Sequence, residues 1–270
     1  MNQMKLLQLA EEIRDMKRVR ATTYDNWLKA LKPLEDREFA DITKVDVKKY
    51  ILHNRKPHGP WEDSTLLTRM NSLKGLWNFA IDWEYVEFQS NPWKNARKLA
   101  NISTKCQKRK YVYHPWEFYA DYHQDPYFVC MWYTGARIGE IAGIYKSNII
   151  LDVEIPYFNF EHQANRKLKN DESIRQVPIH PTCMPYVEHL FFSKDKCPGK
   201  SWSERFNKTL QLTKGEAAHS IRHNITTRFN RAEVLERVQD SILGHATLGH
   251  GAGYGEIEME TKLNAILKLQ

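Results

Sequence analysis

Hydrophobic residues in the first hundred positions recur with the spacing of an α-helix. In STLLTRMNSLKGLWNFAIDW, residues 64–83, alternating steps of four and three separate the apolar positions, which predicts one buried stripe. The members of that stripe are Leu66, Met70, Leu73, Trp77 and Ala80. Other segments show the same period, so this part of the chain is predicted to be helical.

Capping residues predict where two of the other helices begin. Thr22 or Thr23 is the predicted N-cap of one helix, and Thr43 with Asp46 has the spacing of a capping box at the start of another. A charged, amphipathic helix is predicted before them, at the N-terminus. The apolar faces of the three helices are Leu6, Leu9, Ala10, Ile13 and Met16; Tyr24, Trp27, Leu28 and Leu31; and Val47, Tyr50 and Ile51.

Basic residues gather at the end of this helical region. Pro92 is the predicted first residue of a helix, and the outer face of that helix carries Lys94, Arg97 and Lys98. The stretch 101–111 is polar, lacks a helical period and is predicted to be an interdomain linker. Its cations are Lys105, Lys108, Arg109 and Lys110. Both groups are candidate contacts to phosphate groups.

The pattern changes in the second half of the chain. Residues 118–144 predict a helix, a break and a second helix. Three β-rich runs, Ile149–Val153, Pro156–Glu161 and Ile174–Ile179, predict a small antiparallel sheet. Apart from one glycine-rich stretch, the chain after Pro181 is predicted to be helical. The fold class is therefore mainly α with a small antiparallel β-sheet, an α+β arrangement in two domains.

Composition narrows the class of partner. The chain has 270 residues, a formal net charge of +7 and a pI near 9.1, which favours an anionic partner such as nucleic acid. Its four cysteines are scattered, as in a protein with reduced thiols. No apolar run approaches the roughly 20 residues of a membrane span, and the charged N-terminus lacks the apolar core of a signal peptide. We expect a cytoplasmic protein.

Two short motifs carry cations in positions suited to a phosphate. In TGARIGEI, Arg137 follows a turn at Gly135 where a helix begins, and Glu140 lies one turn along, where it could hold the guanidinium in place. In KLKNDESIRQVPIH, Lys167 and Lys169 lie on a predicted β-turn. A lysine there is commonly solvated, but it could also reach a groove of a nucleic acid, as a binding residue, or donate a proton to a leaving group.

A third motif, AAHSIRHN, leaves two interpretations open. His219 and Arg222 are three residues apart and share a helix face. His219 and His223 are four apart, a spacing also found in zinc sites, and His245 with His250 could complete such a site. The glutamate of the H-E-x-x-H pattern is absent, which makes zinc the weaker alternative.

The fourth motif is LGHATLGHGAGYG, Leu243–Gly255, which contains His245 and Tyr254 among five glycines. It matches neither the Walker A pattern nor G-x-G-x-x-G, so a phosphate-binding loop of those kinds is not predicted.

Taken in order, these motifs resemble the tyrosine recombinase family, and the phage integrases in particular. TGARIGEI, HSIRHNITTRF and ILGHA, with a tyrosine nine positions after His245, are similar to the signature boxes of that family. The resemblance covers the second half and extends, less specifically, to the helical first half. It implies a helical, SAM-like core-binding domain over 1–100, a linker over 101–111 and a catalytic domain with a helical tail over 112–270.

The resemblance also implies roles for individual residues. Tyr254 is the nucleophile that forms a 3′-phosphotyrosine with DNA, and Lys169, with Lys167 as the alternative, protonates the leaving 5′-oxygen. His219 accepts the phenol proton, and Glu140 supports the site. The groups that bind the phosphate are Arg137, Arg222 and His245. This chemistry needs positioning and charge stabilisation and no metal or ATP, so no cofactor is expected.

The implied partners are double-stranded DNA at attachment or core sites, further copies of the chain, and accessory DNA-bending or directionality factors. The resemblance implies a homotetramer on DNA in a bacterial host, assembled through the C-terminal tail, whose apolar residues are Ile257, Leu263, Ile266 and Leu267. Docking of the tail on its own domain is the alternative. Little chain precedes Thr22, so no complete arm-binding domain is expected.

Several other activities remain as alternatives at this point. They are a transposon or Xer-like resolving recombinase, a type IB topoisomerase, a DNA-binding protein of the same fold that does not cleave, and a zinc hydrolase.

Overall fold

The protein is described by a computed structural model, which covers residues 6–35, 37–85, 90–102, 112–164, 168, 171–190, 199–212, 216–245 and 256–269. The chain divides into two compact units, Met1–Lys108 and Arg109–Gln270. The boundary lies within the predicted linker, most of which, residues 103–111, falls outside the described residues. The assignment of the first unit to core-binding and of the second to catalysis stays a prediction.

The described part of the first unit is helical. Its helices are α1 (Leu6–Lys17), α2 (Ala21–Leu31), α3 (Lys44–Asn54), α4 (Asp63–Asp82) and α5 (Ala96–Leu99), with short 3₁₀ turns at Lys32–Leu34 and Phe39–Asp41. Helix α4 is the centre of the unit, because α1, α2 and α5 all pack against it. Its predicted stripe is buried throughout, from Leu66 to Ala80.

Aromatic side chains fill the core of the first unit. Trp77 stacks on Phe39 with ring centroids 4.4 Å apart and meets Trp93 at 5.8 Å. Tyr50 approaches the edge of Trp93 at 5.0 Å and donates a hydrogen bond from its hydroxyl to the Ala30 carbonyl at 2.9 Å. Tyr50 and Trp77, which the helical period placed on apolar faces, are therefore core residues.

The starts of these helices agree only in part with the prediction. The capping box is confirmed, because the Thr43 hydroxyl accepts from the backbone and Asp46 bonds back to the Thr43 N–H. The predicted N-cap at Thr22 or Thr23 is wrong: α2 begins at Ala21, since the Arg20 carbonyl already accepts from Thr23 and Tyr24.

Two further details of the first unit differ from the prediction. Pro92 lies in a turn rather than in a helix, because Asn91 caps the Trp93 N–H and α5 begins only at Ala96. Met16, assigned to the apolar face of α1, is about half exposed.

The second unit contains the sheet and the remaining helices. The helices are α6 (Pro126–Thr134), α7 (Ile138–Ala142), α8 (Met184–Val187), α9 (Gly199–Thr209), α10 (Ser220–Arg231), α11 (Glu236–Leu243) and α12 (Met259–Leu267). The strands are β1 (Ile149–Ile150), β2 (Tyr157–Phe160) and β3 (Arg175–Pro178). Short 3₁₀ turns lie at Trp116–Tyr122, Lys146–Asn148, Asp171–Ser173 and Pro181–Cys183.

The predicted fold class is confirmed. The three strands pair antiparallel in the order β1-β2-β3, with Phe158 opposite Val177 and Phe160 opposite Arg175. The strands are shorter than the β-rich runs that predicted them. One face of the sheet joins a core that also includes α6 and α10, through residues such as Phe128 and Phe229.

Asp125 starts α6 and also ties it to α9. Its carboxylate caps the Phe128 N–H at 3.0 Å and accepts from the Trp202 indole nitrogen at 3.0 Å. Because Trp202 is buried, this bond satisfies an indole N–H that would otherwise lack a partner in the core.

Helix α12 packs on its own unit, against β3 and α11. Ile266 is buried as predicted, together with Ala265 and Leu269, which the sequence did not single out. Leu267 was assigned to the apolar side but is 45% exposed. The Lys262 ammonium is buried and donates to the Gln176 carbonyl of β3 at 3.3 Å.

No helix in the described part of the chain is both long enough and apolar enough to cross a membrane.

Candidate active site

A glycine turn between α6 and α7 presents Arg137. Gly135 ends α6 with a positive φ of 64°, and a Cβ there would lie 2.4 Å from a Leu243 methyl carbon and 2.7 Å from one of Ile225. Glycine is therefore required both by the backbone angle and by the close approach of α10 and α11. Two residues later Arg137 precedes α7, with about a quarter of its side chain exposed.

Glu140 holds Arg137 in place. Its carboxylate accepts from the Arg137 backbone N–H at 2.8 Å and from the Arg137 guanidinium at 2.6 Å. On its other side it accepts from Arg175 Nη2 at 2.9 Å. Burial by itself raises the pKa of Glu140, but the charges and hydrogen bonds of Arg175 and Arg137 outweigh it and lower the pKa to about 2. Glu140 is therefore ionised throughout the physiological range.

Arg222 projects from the first turn of α10 into the same region. It is 4% exposed and donates to the Gly135 carbonyl at 2.6 Å and to the Leu243 carbonyl. Burial, followed by repulsion from Arg137 and Arg175, lowers its pKa to about 9. A group in this position gains from any added negative charge, because an anion would offset that repulsion.

His245 lies just after α11, at a turn that begins with Gly244 in the left-handed conformation. The Asp240 carbonyl accepts from both the Gly244 and His245 N–H groups, and an Asp240 carboxylate oxygen lies 3.3 Å from His245 Nδ1. Burial and the charge of Arg222 lower the pKa of His245, and Asp240 opposes that shift. The imidazole is half-exposed, so it is accessible to a ligand.

His219 is the residue immediately before α10 and is exposed. Its ring meets that of His223 edge-on at 5.1 Å. Burial, followed by the charges of Arg222 and His245, lowers the pKa of His223. The two histidines of the sequence motif are thus neighbours of the same cationic region. In the described residues, no three histidine, cysteine or acidic side chains form a group that could hold a metal ion.

The structure does not describe every predicted site residue. Tyr254, Lys169 and Lys167 lie outside the described residues, as do the linker cations Lys105, Lys108, Arg109 and Lys110. In the first unit, Lys94 and Lys98 are exposed, and Arg97 is half-buried with its Nε bonded to the Ile102 carbonyl. The roles predicted for all of these residues stay predictions.

Two residues of the site were not predicted from sequence. Arg175 is buried against Glu140, and Asp240 contacts His245. Arg175 had one available signal in the sequence: it is in phase with Val177 and Ile179, which places it on the inward face of its strand. Asp240 had none, since its position on α11 only becomes significant once the following turn folds back.

The structure is similar to solved integrases. A Tn1549 transposon integrase in complex with transposon right end DNA superposes with a TM-score of 0.65 at 16% identity, over 98% of this chain and 99% of that one. A lambda integrase from a tetramer bound to a Holliday junction superposes with a TM-score of 0.62 at 14% identity, over 95% of this chain and 81% of that one. This chain has the integrase fold. No protein-family model and no curated protein matches the sequence.

Within this integrase fold the described site is a cationic cluster. Two guanidinium groups, those of Arg137 and Arg222, and the His245 imidazole come from three separate segments of the chain. The Glu140 carboxylate is fully committed to arginines. Arginine offers paired donors that match phosphate oxygens. The arrangement therefore suits the binding of an anionic group such as a phosphate.

Proposed function

We propose that this protein is a site-specific DNA recombinase of the tyrosine recombinase family, which cleaves and rejoins DNA through a covalent link between Tyr254 and a 3′-phosphate. The observation that carries the proposal is the fixing of Arg137 and Arg222 beside His245. Two arginines and a histidine held in this way match the phosphate-binding set that the sequence motifs imply. The likeness to integrases described in complex with DNA supports the same conclusion.

The proposed reaction is a transesterification. The Tyr254 oxygen forms a bond to phosphorus, and the bond from phosphorus to the 5′-oxygen breaks. His219 takes the phenol proton, which is needed because tyrosine has a pKa near 10 in water, and Lys169 gives a proton to the departing 5′-oxygen. A 5′-hydroxyl of a partner strand reverses the steps and releases the enzyme, so no net bond energy is consumed.

The positive groups act on the phosphate. Arg137 and Arg222 neutralise its non-bridging oxygens, and His245 donates a further hydrogen bond as charge accumulates in the transition state. Because Glu140, the Gly135 carbonyl and the Leu243 carbonyl already fix both guanidinium groups, little reorganisation is needed during the reaction.

The proposal extends to assembly and origin. Recombination joins two duplexes, so we propose that the protein acts as a homotetramer on core-type sites, as part of a phage or another mobile element. The basic residues Lys94, Arg97 and Lys98 of the first unit are proposed contacts to the DNA backbone, with accessory bending or directionality factors as further partners.

The test is a search for a covalent protein–DNA adduct. Nicked duplexes tiled from the DNA that flanks the gene are incubated with the full-length protein, and the products are separated on a denaturing gel. We expect a slow-migrating adduct with wild type and none with Tyr254→Phe. Tyr113→Phe is the matched control, because it removes a hydroxyl from a ring that packs against Arg231 and leaves the ring in place.

Each result has a distinct meaning. An adduct that persists in Tyr254→Phe would show that another residue is the nucleophile. Tight, salt-sensitive DNA binding without any adduct would favour the DNA-binding protein that does not cleave. Relaxation of supercoiled plasmid irrespective of sequence would favour the topoisomerase alternative.

A further inference from the structure

Arg175 is a buried cation whose guanidinium is bonded on several sides. It opens β3 and is 8% exposed. Its Nε donates to the Ile242 carbonyl at 2.6 Å, Nη1 donates to the Ser173 carbonyl at 2.9 Å, and Nη2 donates to Glu140 at 2.9 Å. The guanidinium also lies 4.7 Å from the centre of the Phe160 ring.

The partners of Arg175 are the supports of the proposed phosphate-binding residues. Glu140 holds Arg137, and the Ser173 hydroxyl accepts from the same Arg137 guanidinium at 3.2 Å. Ile242 lies in the last turn of α11, just before the turn that presents His245. Arg175 therefore connects α7, β3 and α11, three segments that are distant in sequence and converge at one site.

Gly244 shows how closely the His245 turn approaches this arginine. Gly244 has a φ of 65°, and a Cβ at that position would lie 3.0 Å from Arg175 Nη1 and 3.1 Å from Arg175 Cδ. Any side chain at 244 would push the turn away from Arg175 or displace the guanidinium. The glycine before His245 is thus favoured by the tight approach of Arg175 as well as by the backbone angle.

We infer that Arg175 is a positioning residue: it sets the distance between Arg137 and His245 without itself touching the phosphate. The inference rests on the proposed function. Arginine is needed because a planar guanidinium donates in several fixed directions at once, whereas a lysine ammonium cannot span the same carbonyls and carboxylate. Misplacement of catalytic groups by about 1 Å can reduce a rate on the order of 100-fold.

The experiment compares two buried arginines of the second unit in the full-length protein. Arg175→Lys keeps a positive charge beside Glu140, but an ammonium group cannot also donate to the Ile242 and Ser173 carbonyls as the guanidinium does. Arg228→Lys is the matched control, because Arg228 is similarly buried at 5% exposure, donates to the Trp132 carbonyl at 2.8 Å and packs over the Trp132 ring at 4.4 Å. Single-turnover adduct formation and DNA affinity are both measured on the nicked duplex that wild type cleaves.

We expect Arg175→Lys to slow adduct formation on the order of 100-fold while DNA affinity stays within about twofold, and Arg228→Lys to leave both near wild type. Should Arg175→Lys not fold, Gly244→Ala perturbs the same contact from the other side and is expected to slow adduct formation in the same way. A wild-type rate in the folded variant overturns the inference, and so does an equal loss in Arg228→Lys. If wild type itself forms no adduct, the proposed function fails and the inference fails with it.

Discussion

Replacing Glu140 by glutamine isolates the role of one buried charge. Glutamine has nearly the same shape, but it removes the negative charge between Arg137 and Arg175 and turns an amide N–H₂ toward their donors. The lost interaction with Arg175 matters most, because that guanidinium is buried and would keep its charge without a counter-ion.

The size of the effect follows from the pKa of Glu140. A value of about 2, against an ordinary 4.5, corresponds to about 3–4 kcal/mol at roughly 1.4 kcal/mol per pKa unit. Removing one member of a buried ion pair typically lowers the free energy of unfolding by about 3–5 kcal/mol, in agreement with the value from the pKa. With a urea dependence of about 2 kcal/mol per molar, the unfolding midpoint of the second unit should fall by about 1.5–2 M.

The two units can be followed separately by methionine oxidation in urea. Met131 is 1% exposed in the core of the second unit, and Met70 is 2% exposed in the core of the first. Peroxide oxidises each methionine as its unit unfolds, and peptide mass spectrometry quantifies both. We expect Glu140→Gln to lower the Met131 midpoint and to leave the Met70 midpoint unchanged.

The pH dependence supplies a second check. Because the folded-state pKa is lowered, the contribution of Glu140 is present above about pH 4.5 and is lost as the pH falls toward 2. The difference in Met131 midpoint between wild type and Glu140→Gln should therefore be constant from pH 8 to 5 and become smaller below pH 5. A midpoint within experimental error of wild type at pH 7, or a difference that stays constant down to pH 3, would refute the reasoning. Glu204→Gln, at an exposed position, should change stability by less than about 0.5 kcal/mol.

Two other predictions test the turns that carry the site. Asp240→Asn removes the carboxylate that raises the pKa of His245. The imidazole should then lose its proton at a lower pH, and the rate of adduct formation should decline at a lower pH than in wild type. A pH–rate profile with an unchanged alkaline limb would contradict this. Gly135→Ala should lower the Met131 midpoint by at least about 1 M, the equivalent of roughly 2 kcal/mol, because its Cβ would meet Leu243. Gly139→Ala is the control, since a Cβ there meets nothing within 4 Å, and equal effects of the two substitutions would disprove the steric argument.

Periodicity predicted the helices well because it reports local burial. The stripe of α4 repeats within one continuous segment, and each of its members contacts the same core. The ends of elements were less predictable. At α2 a backbone carbonyl, that of Arg20, starts the helix without any side-chain cap, so the nearby threonines misled the prediction.

The residue types of the candidate site were also visible in sequence, but their supports were not. Motif order pointed to Arg137, Glu140, Arg222 and His245, which the structure brings into one region. The strand containing Arg175 was recognised, whereas the contact of Arg175 with Ile242, 67 residues away, was not. Within the single chain, α12 packs on β3 and α11 of its own unit, and docking of the tail on a neighbouring copy stays a prediction.

The sequence by itself determined the helical periods, the small sheet, the positive charge and the order of the motif residues, because each depends on neighbours along the chain. Tertiary structure decided which atoms those residues meet. Arg222 reaches the Gly135 carbonyl across 87 residues, and Glu140 reaches Arg175 across 35. Contacts of this kind depend on how the core brings separate segments together, and no local pattern encodes the partner of a buried guanidinium.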